Sequence, residues 1–321
     1  MKKCNIYKSV LFLLILGIFL RVVSVASVHM DRNRKILYNH SATCLFYEPD
    51  NSIDVLAIGD SNTYSAVCPL LWWEEYGITG YSWGEPSQRI AETYEYLKNI
   101  YKKQNPAVVM IEAGNIFRDK TDADNLNSIV KANISSVFPV VTYHKSLDPD
   151  RLPNLVTDGH SMTKGYYVRL EKRKAQRNKD SMKRTKEYQP LHPISRWELK
   201  RCINLCRKHG SNVILFSVPS CKGWSYKKHN TIEREAMENQ VPYLDLNLDF
   251  EDQMDWKEDS CDGGDHLNVE GAEKVTHYLG RYLCDHYSLA DHRKEDGYDR
   301  WDRDLEDYKR ILSDPKGIPE E

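Results

Sequence analysis

The sequence predicts an α/β fold of three layers, α/β/α, built on a mostly parallel sheet and preceded by one N-terminal transmembrane helix. Apolar runs that fit buried parallel strands occur at 53–58, 107–111, 212–218 and 241–246. Segments with helical spacing occur at 87–103, 196–209, 228–239 and 270–287. Because strands and helices alternate along the chain, a parallel sheet with right-handed crossovers is the simplest architecture.

The N-terminus is basic and then strongly apolar. Lysines at positions 2 and 3 precede an apolar run over 9–28 that a single charge, Arg21, interrupts. A helix of ~20 residues at ~1.5 Å each spans a hydrocarbon core of ~30 Å. We expect residues 1–30 to form an uncleaved single-pass anchor in the cell membrane, with the rest of the chain extracytoplasmic by the positive-inside rule. The alternative is a signal peptide cleaved after Ala26, since Ser24-Val25-Ala26 fits a small-x-small site.

The first predicted strand runs directly into Gly59-Asp60-Ser61, with helix-forming sequence after it. This order puts the Ser61 hydroxyl at the carboxyl end of a strand, where open α/β sheets keep their active sites. The same pattern fits an ordinary strand-to-helix turn capped by Asp or Ser. We interpret Asp60 as a residue that holds the turn and Ser61 as a candidate nucleophile.

A second block, close to the C-terminus, supplies acids and a histidine. Asp262, Asp265 and His266 lie in a glycine-containing loop that leads into a helix. Histidine is a suitable base for a serine nucleophile, and an acid orients the ring in a Ser-His-Asp triad. We favour Asp262 as that acid because Gly263 and Gly264 let the backbone turn back. Asp265 remains the alternative acid, with a helix cap as its structural role.

Together these blocks resemble the SGNH/GDSL hydrolases, and within them the membrane-anchored bacterial proteins akin to the D-alanyl-lipoteichoic-acid protein DltD and the alginate acetylation proteins. The resemblance covers residues 53–285 and implies a flavodoxin-like fold. It implies an oxyanion hole formed by the backbone N–H groups of Ser61 and Gly84 and by the Asn115 side chain. The sequence departs from the family pattern in two places. Gly114 directly precedes Asn115 with no Asp following, and Gly263 stands three residues before His266.

The resemblance implies a serine esterase or O-acyltransferase that works through an acyl-enzyme. The expected substrates are acyl esters, with acetyl as the expected acyl group, on a cell-envelope polysaccharide or teichoic acid. It implies no metal and no other cofactor. The partners expected are the acylated glycan, the membrane and a membrane-bound O-acyltransferase. A different class of function also fits the sequence: a noncatalytic accessory protein that keeps the fold and docks to a multi-spanning membrane O-acyltransferase.

Composition excludes other classes. The chain has 321 residues, 40% of them hydrophobic, and a net charge of −2, which argues against a dedicated nucleic-acid binder. Its 8 cysteines include no CxxC pair, so a zinc site is disfavoured. Buried thiols, with one or two disulfides if the domain is exported, fit better.

The expected organisation is an anchor at 1–30, a hydrolase-like domain at 31–287 and a charged helical tail at 288–321. Residues 116–195 form a basic insertion in the domain, with ten Lys or Arg against three Asp or Glu from Lys164 to Pro190. Such a run is typical of a solvated face or mobile loop, and alternatively of a lid or a basic surface for anionic lipid or glycan. The spacing of Tyr298, Trp301 and Tyr308 predicts a packed or docking helix in the tail.

Overall fold

A computed structural model describes residues 2–35, 42–143, 160–176, 180 and 182–314. Its centre is one sheet of five strands in the order β2-β1-β3-β4-β5, and every neighbouring pair is parallel. The strands are β1 (Val55–Gly59), β2 (Gly80–Gly84), β3 (Val108–Glu112), β4 (Asn212–Ser217) and β5 (Tyr243–Asp245). The sheet confirms the predicted fold class, and all four predicted apolar runs form strands within a few residues of their expected bounds.

Helices cover both faces of the sheet. They are α1 (Lys2–Lys35), α2 (Ser61–Ala66), α3 (Pro69–Tyr76), α4 (Ile90–Ile100), α5 (Asp122–Val137), α6 (Val140–Tyr143), α7 (Pro193–Lys208), α8 (Tyr226–Asn239), α9 (Val269–His286) and α10 (Asp299–Ser313). Alternate residues of β1 enter two separate cores. Leu56 and Ile58 join the core that includes α4 and α7, whereas Val55 and Ala57 join the core that includes α9. Three layers result, because a strand directs successive side chains to opposite faces.

The strand order creates a topological switch point between β1 and β3. Chain connections leave β1 toward β2 on one side, and the next strand, β3, lies on its other side. Loops that follow β1 and β3 therefore separate at the carboxyl edge and open a crevice, which is where doubly wound sheets bind ligands. Ser61 begins α2 directly beyond β1, at this crevice.

The N-terminal helix α1 contains one segment, Ile6–Ser27, that is long and apolar enough to cross a membrane. Its apolar side chains from Ile6 to Phe19 are largely exposed rather than packed in a core. A signal sequence would have the same length and composition.

The insertion and the tail do not behave as one solvated surface. Lys164 is fully buried, with its Nζ 3.0 Å from Glu48 Oε1 and 2.9 Å from Asp304 Oδ2. The prediction of a solvated charge run is therefore wrong at Lys164, because a carboxylate from the tail and one from the start of the domain neutralise the buried ammonium. Residues 144–159, 177–179 and 181 of the insertion lie outside the described residues, as do 36–41 and 315–321.

The tail forms helix α10, whose face carries Trp301 and Tyr308 into the core. The Trp301 ring packs against Trp73 at 5.5 Å between centroids, and Trp73 Nε1 donates a 2.8 Å hydrogen bond to Asp302. A packed helix, which the aromatic spacing predicts, is thus present.

Candidate active site

Ser61 occupies the first turn of α2, directly after the Asp60 cap. The Asp60 carboxylate accepts a 2.9 Å hydrogen bond from the Asn62 N–H and a second of 2.9 Å from Arg118 Nε. Asp60 is fully buried, and each of its two carboxylate oxygens accepts one of these hydrogen bonds. This clamp fixes the turn and leaves the half-buried Ser61 side chain at the carboxyl edge of the sheet.

A hydrogen-bonded relay joins Ser61 to the C-terminal loop. His266 Nε2 lies 2.8 Å from Ser61 Oγ, and His266 Nδ1 lies 2.5 Å from Asp262 Oδ2. An ionised carboxylate only accepts hydrogen bonds, so Nδ1 carries the proton that it donates to Asp262. The neutral ring then has a lone pair at Nε2 that can accept the Ser61 hydroxyl proton. These are the contacts that general-base activation of a serine requires.

The Asp262 carboxylate is fixed by more than the ring. Its other oxygen, Oδ1, accepts hydrogen bonds from the backbone N–H groups of Asp265 at 3.0 Å and His266 at 2.9 Å. Burial alone would raise the pKa of Asp262, but the hydrogen bonds from the His266 backbone and ring and the N–H of Asp265 outweigh it and lower the pKa. The carboxylate is therefore held ionised and oriented.

Two glycines allow the backbone of this loop to reverse direction between Asp262 and His266. Gly263 and Gly264 have φ angles of +84° and +108°, a region that side-chain-bearing residues rarely adopt. A Cβ on Gly264 would lie 2.5 Å from Cys221 Cβ. The loop is closed by a hydrogen bond of 2.7 Å from the Gly264 N–H to Ser260 Oγ and by an isolated bridge between Ser260 and Leu267.

Asp265 is in the same loop but makes different contacts. Among the described residues, its hydrogen bond is the one that its backbone N–H donates to Asp262, and its side chain is exposed. The helix-cap role expected for Asp265 is wrong. Asn268 caps α9, its side chain accepting a 3.1 Å hydrogen bond from the Gly271 N–H.

Gly84 lies against the nucleophile turn. It pairs with Gly59 at the ends of β2 and β1, and a Cβ there would be 2.8 Å from the Asp60 carbonyl oxygen. Only a glycine permits this approach of the two backbones. Gly84 thus lies at the carboxyl edge next to the turn that carries Ser61, and its role as an oxyanion-hole donor stays a prediction.

Asn115 lies beyond β3 in a 3₁₀ helix, Gly114–Phe117, and is buried. Its Nδ2 donates a 3.2 Å hydrogen bond to Thr93 Oγ1, and its backbone N–H donates to Glu112 Oε2 at 3.2 Å. The described contacts of Asn115 do not include Ser61. The structure thus brings Ser61, His266 and Asp262 into contact, with Gly84 alongside, while the Asn115 amide is hydrogen-bonded to α4.

Sequence reasoning missed a charged cluster beside the turn. Glu112, at the end of β3, is buried, and burial and the nearby Asp60 charge raise its pKa to about 8, against backbone hydrogen bonds from Gly114 and Asn115 and the Arg118 charge. The only available signal was position: Glu112 ends a strand next to β1. Its neighbours Gly114, Asn115 and Arg118 follow it closely in sequence, whereas Asp60 is brought to it by the pairing of β1 with β3.

A cavity of about 450 Å³ adjoins the serine, and residues on both sides of Ser61 line it. Basic side chains dominate its polar lining: Arg89, Arg118, Lys120 and Lys228. The remaining wall is supplied by Ser87, Phe117, Gly114 and Gly223.

Metal ligands do not gather in the part of the chain described: no group of three or more His, Cys, Asp or Glu side chains is placed to hold an ion. Seven of the eight cysteines have described side chains; none of these seven is in a disulfide, and six of them are buried. The one or two disulfides expected for an exported domain are thus not found among them.

Comparison with known proteins rests on structure, since no family model and no curated protein sequence matches the chain. Its structural neighbours include G-D-S-L proteins. A protein described as lipolytic, of the G-D-S-L family from Desulfitobacterium hafniense, is 16% identical, with a TM-score of 0.39, over 73% of this chain and 100% of its own. A family 3 carbohydrate esterase from Clostridium thermocellum is 12% identical, with a TM-score of 0.40, over 73% of this chain and 96% of its own.

A third neighbour is a catalytic mutant of an acetylxylan esterase from Geobacillus stearothermophilus. It is 10% identical, with a TM-score of 0.37, over 72% of this chain and 94% of its own. The strand order establishes the fold of the present chain.

Proposed function

We propose that this chain is an extracytoplasmic serine esterase or O-acyltransferase that forms an acyl-enzyme on Ser61. The observation that carries the proposal is the continuous relay from Ser61 Oγ through His266 to Asp262, with contacts of 2.8 and 2.5 Å. An accessory protein that only docks would need no such relay. The substrate class proposed is an acyl ester, with acetyl expected, on a cell-envelope polysaccharide or teichoic acid.

In the first half-reaction His266 Nε2 takes the proton as Ser61 Oγ attacks the ester carbonyl carbon. The tetrahedral oxyanion is received by the backbone N–H groups of Ser61 and Gly84, donors of the kind that contribute a few kcal/mol each when preorganised. Asn115 would contribute a third donor if its side chain turned from Thr93. His266 then returns the proton to the departing alcohol oxygen, which leaves the acyl group on Ser61.

The second half-reaction reverses these roles. His266 removes a proton from the acceptor as the acceptor oxygen attacks the acyl carbon, and it returns that proton to Ser61 Oγ as the bond between the acyl carbon and Oγ breaks. Water as the acceptor gives hydrolysis, and a sugar hydroxyl gives transfer. Asp262 holds the ring tautomer in both halves and stabilises the imidazolium that forms in each.

The membrane arrangement is part of the proposal. Residues 9–28 would stay attached as the anchor, and the domain would work outside the membrane beside a membrane-bound O-acyltransferase that supplies or receives acyl groups. Intact-mass measurement of the membrane fraction tests the anchor. A mature chain that lacks the first 26 residues would contradict it.

A fluorophosphonate probe tests the nucleophile without knowledge of the substrate. The full-length chain should be labelled at Ser61, and Ser61→Ala should abolish labelling. Ser65→Ala is the matched control, since Ser65 lies in the same helix, is buried and has no hydrogen-bond partner for its hydroxyl among the described residues. No labelling of the wild type would leave the noncatalytic accessory as the function, and equal labelling of the wild type and Ser61→Ala would assign the nucleophile to another residue.

A further inference from the structure

The cavity beside Ser61 has an excess of positive charge. Four basic side chains line it, and two of them are paired: Arg118 with Asp60, and Arg89 with Asp119. Within the described residues, the remaining two, Lys120 and Lys228, form no ion pair with a carboxylate. The third nearby acid, Glu112, has a raised pKa and is largely protonated at neutral pH.

Lys228 is held at the cavity by direct contacts with a carbonyl oxygen and two aromatic rings rather than with a carboxylate. Its Nζ donates a 2.6 Å hydrogen bond to the Gly223 carbonyl oxygen and lies 5.3 Å from the Phe117 ring centroid and 5.6 Å from that of Trp224. Burial is the main cause that lowers the pKa of Lys228; the Arg118 and Lys120 charges act in the same direction, and the Glu112 and Asp60 charges oppose them. A half-buried ammonium among cations is stabilised when an anion enters.

We propose that this cavity is a recognition site for an anionic group, a phosphate or a carboxylate, carried by the acyl-ester substrate. Lys228 and Lys120 provide the free charges, and Arg118 and Arg89 supply further N–H donors at the wall. Charge-assisted hydrogen bonds of this kind are the strong ones in binding sites. The cavity adjoins Ser61, so an anion bound there would orient the ester toward the nucleophile. This inference extends the proposed function to the charge of the substrate.

Equilibrium binding separates this inference from the catalytic proposal. The full-length Ser61→Ala chain in detergent is titrated calorimetrically with inorganic phosphate, with glucuronate and, as the neutral control, with methyl glucoside. Saturable binding is expected for phosphate, glucuronate or both, and none for methyl glucoside. The two anions distinguish a phosphate-bearing from a carboxylate-bearing substrate.

Charge variants locate the site. Lys228→Met and Lys120→Met should each weaken anion binding about tenfold or more, the value of one charge-assisted hydrogen bond. Lys228→Arg should restore most of it. Lys227→Met is the matched control, because Lys227 is the neighbouring residue but pairs with Glu187 instead. The inference is overturned if neither anion binds, or if Lys227→Met and Lys120→Met lose anion affinity equally. Either result would stand independently of whether the fluorophosphonate labels Ser61.

A separate observation concerns the outward face of α5. Leu126, Val130, Ile134 and Val137 are between 45% and 60% exposed. Their spacing of four, four and three residues puts them in one stripe. The opposite face of α5 carries buried residues, including Ala132. Surface helices normally turn polar residues outward, so an exposed apolar stripe marks a contact surface.

The C-terminal end of this stripe touches the proposed membrane anchor. Arg21 Nη1 donates a 2.7 Å hydrogen bond to the Val137 carbonyl oxygen, and Ser24 Oγ accepts one of 3.3 Å from the Val140 N–H. Both anchor residues lie within the apolar segment Ile6–Ser27. The stripe is thus continuous with the part of α1 that would leave the bilayer.

We infer that α5 lies in the bilayer interface with this stripe toward the acyl chains, as amphipathic interfacial helices do. The inference rests on the proposed anchor. Two spin-labelled variants test it in full-length chain reconstituted in phosphatidylcholine vesicles, with Cys4 and Cys284 replaced by serine. One label is at Val130→Cys, and the comparison label is at Met237→Cys, another exposed apolar position on a helix. The label at 130 should collide with oxygen more than with a nickel chelate, and the label at 237 should do the reverse. Solvent-like behaviour at 130, shielding from both agents, or release of the chain from the vesicles overturns the inference.

Discussion

The Asp262 carboxylate reaches the His266 ring from four residues upstream, with 2.5 Å between Oδ2 and Nδ1. A separation of four residues on a loop requires the chain to reverse, and two successive positive-φ glycines provide the reversal. Asp265, although adjacent to His266 in sequence, supplies only a backbone N–H to the same carboxylate. The acid of the relay is therefore chosen by loop conformation and not by proximity along the chain.

Replacing the acid tests this choice. Asp262→Asn should lower kcat/KM for 4-nitrophenyl acetate by about 10⁴-fold, the loss typical when the orienting acid of a triad becomes an amide. Asp265→Asn should retain most of the activity, since its backbone contact is unchanged. A larger loss for Asp265→Asn would assign the acid to Asp265 instead.

The backbone at Gly264 should tolerate no side chain. Gly264→Ala combines an unfavourable φ of +108° with a Cβ 2.5 Å from Cys221 Cβ, whereas Gly210→Ala has a φ of +83° with nothing within 4 Å. Denaturant unfolding should show a loss of about 1 kcal/mol for Gly210→Ala and a clearly greater loss for Gly264→Ala. Equal losses would mean that the loop shifts freely and does not hold Asp262 in place.

Glu112 should make stability fall as pH rises. Its folded-state pKa, about 8, exceeds the ordinary 4.5, so between these values the folded chain binds more protons than the unfolded chain. The free energy of unfolding should decrease across pH 5–8, and Glu112→Gln should flatten that slope. Glu306→Gln, at an exposed position on α10, is the control and should retain the wild-type slope. An unchanged slope in Glu112→Gln would contradict the raised pKa.

The buried ammonium of Lys164 should be needed to keep α10 packed. Lys164→Met removes the ammonium and leaves Glu48 and Asp304 buried beside the His160 ring. Removal of one partner from a buried ion pair costs about 3–5 kcal/mol. Lys172→Met, which removes an exposed pair with Glu270, should change stability little. Proteolysis should release the tail of Lys164→Met selectively. Equal stability of the two variants would show that the cluster does not hold the tail.

Local patterns predicted the sheet and the relay. Apolar runs defined the strands, and Ser61 and His266 stood out because each follows or precedes a recognisable element. Lys164 could not be predicted as buried, since its partner Asp304 lies 140 residues away in a tail helix whose aromatic spacing predicts packing but not what it packs against. Glu112, Arg118 and Lys228 were missed for the same reason: tertiary packing brings them together.

The central claim is that Ser61 attacks the substrate, and the direct measurement is turnover of 4-nitrophenyl acetate by Ser61→Ala. The account predicts a fall in kcat/KM of about 10⁴-fold or more relative to wild type, with an unchanged circular dichroism spectrum. Ser65→Ala, in the same helix, should keep wild-type turnover. Hydrolysis by Ser61→Ala at the wild-type rate would contradict the account.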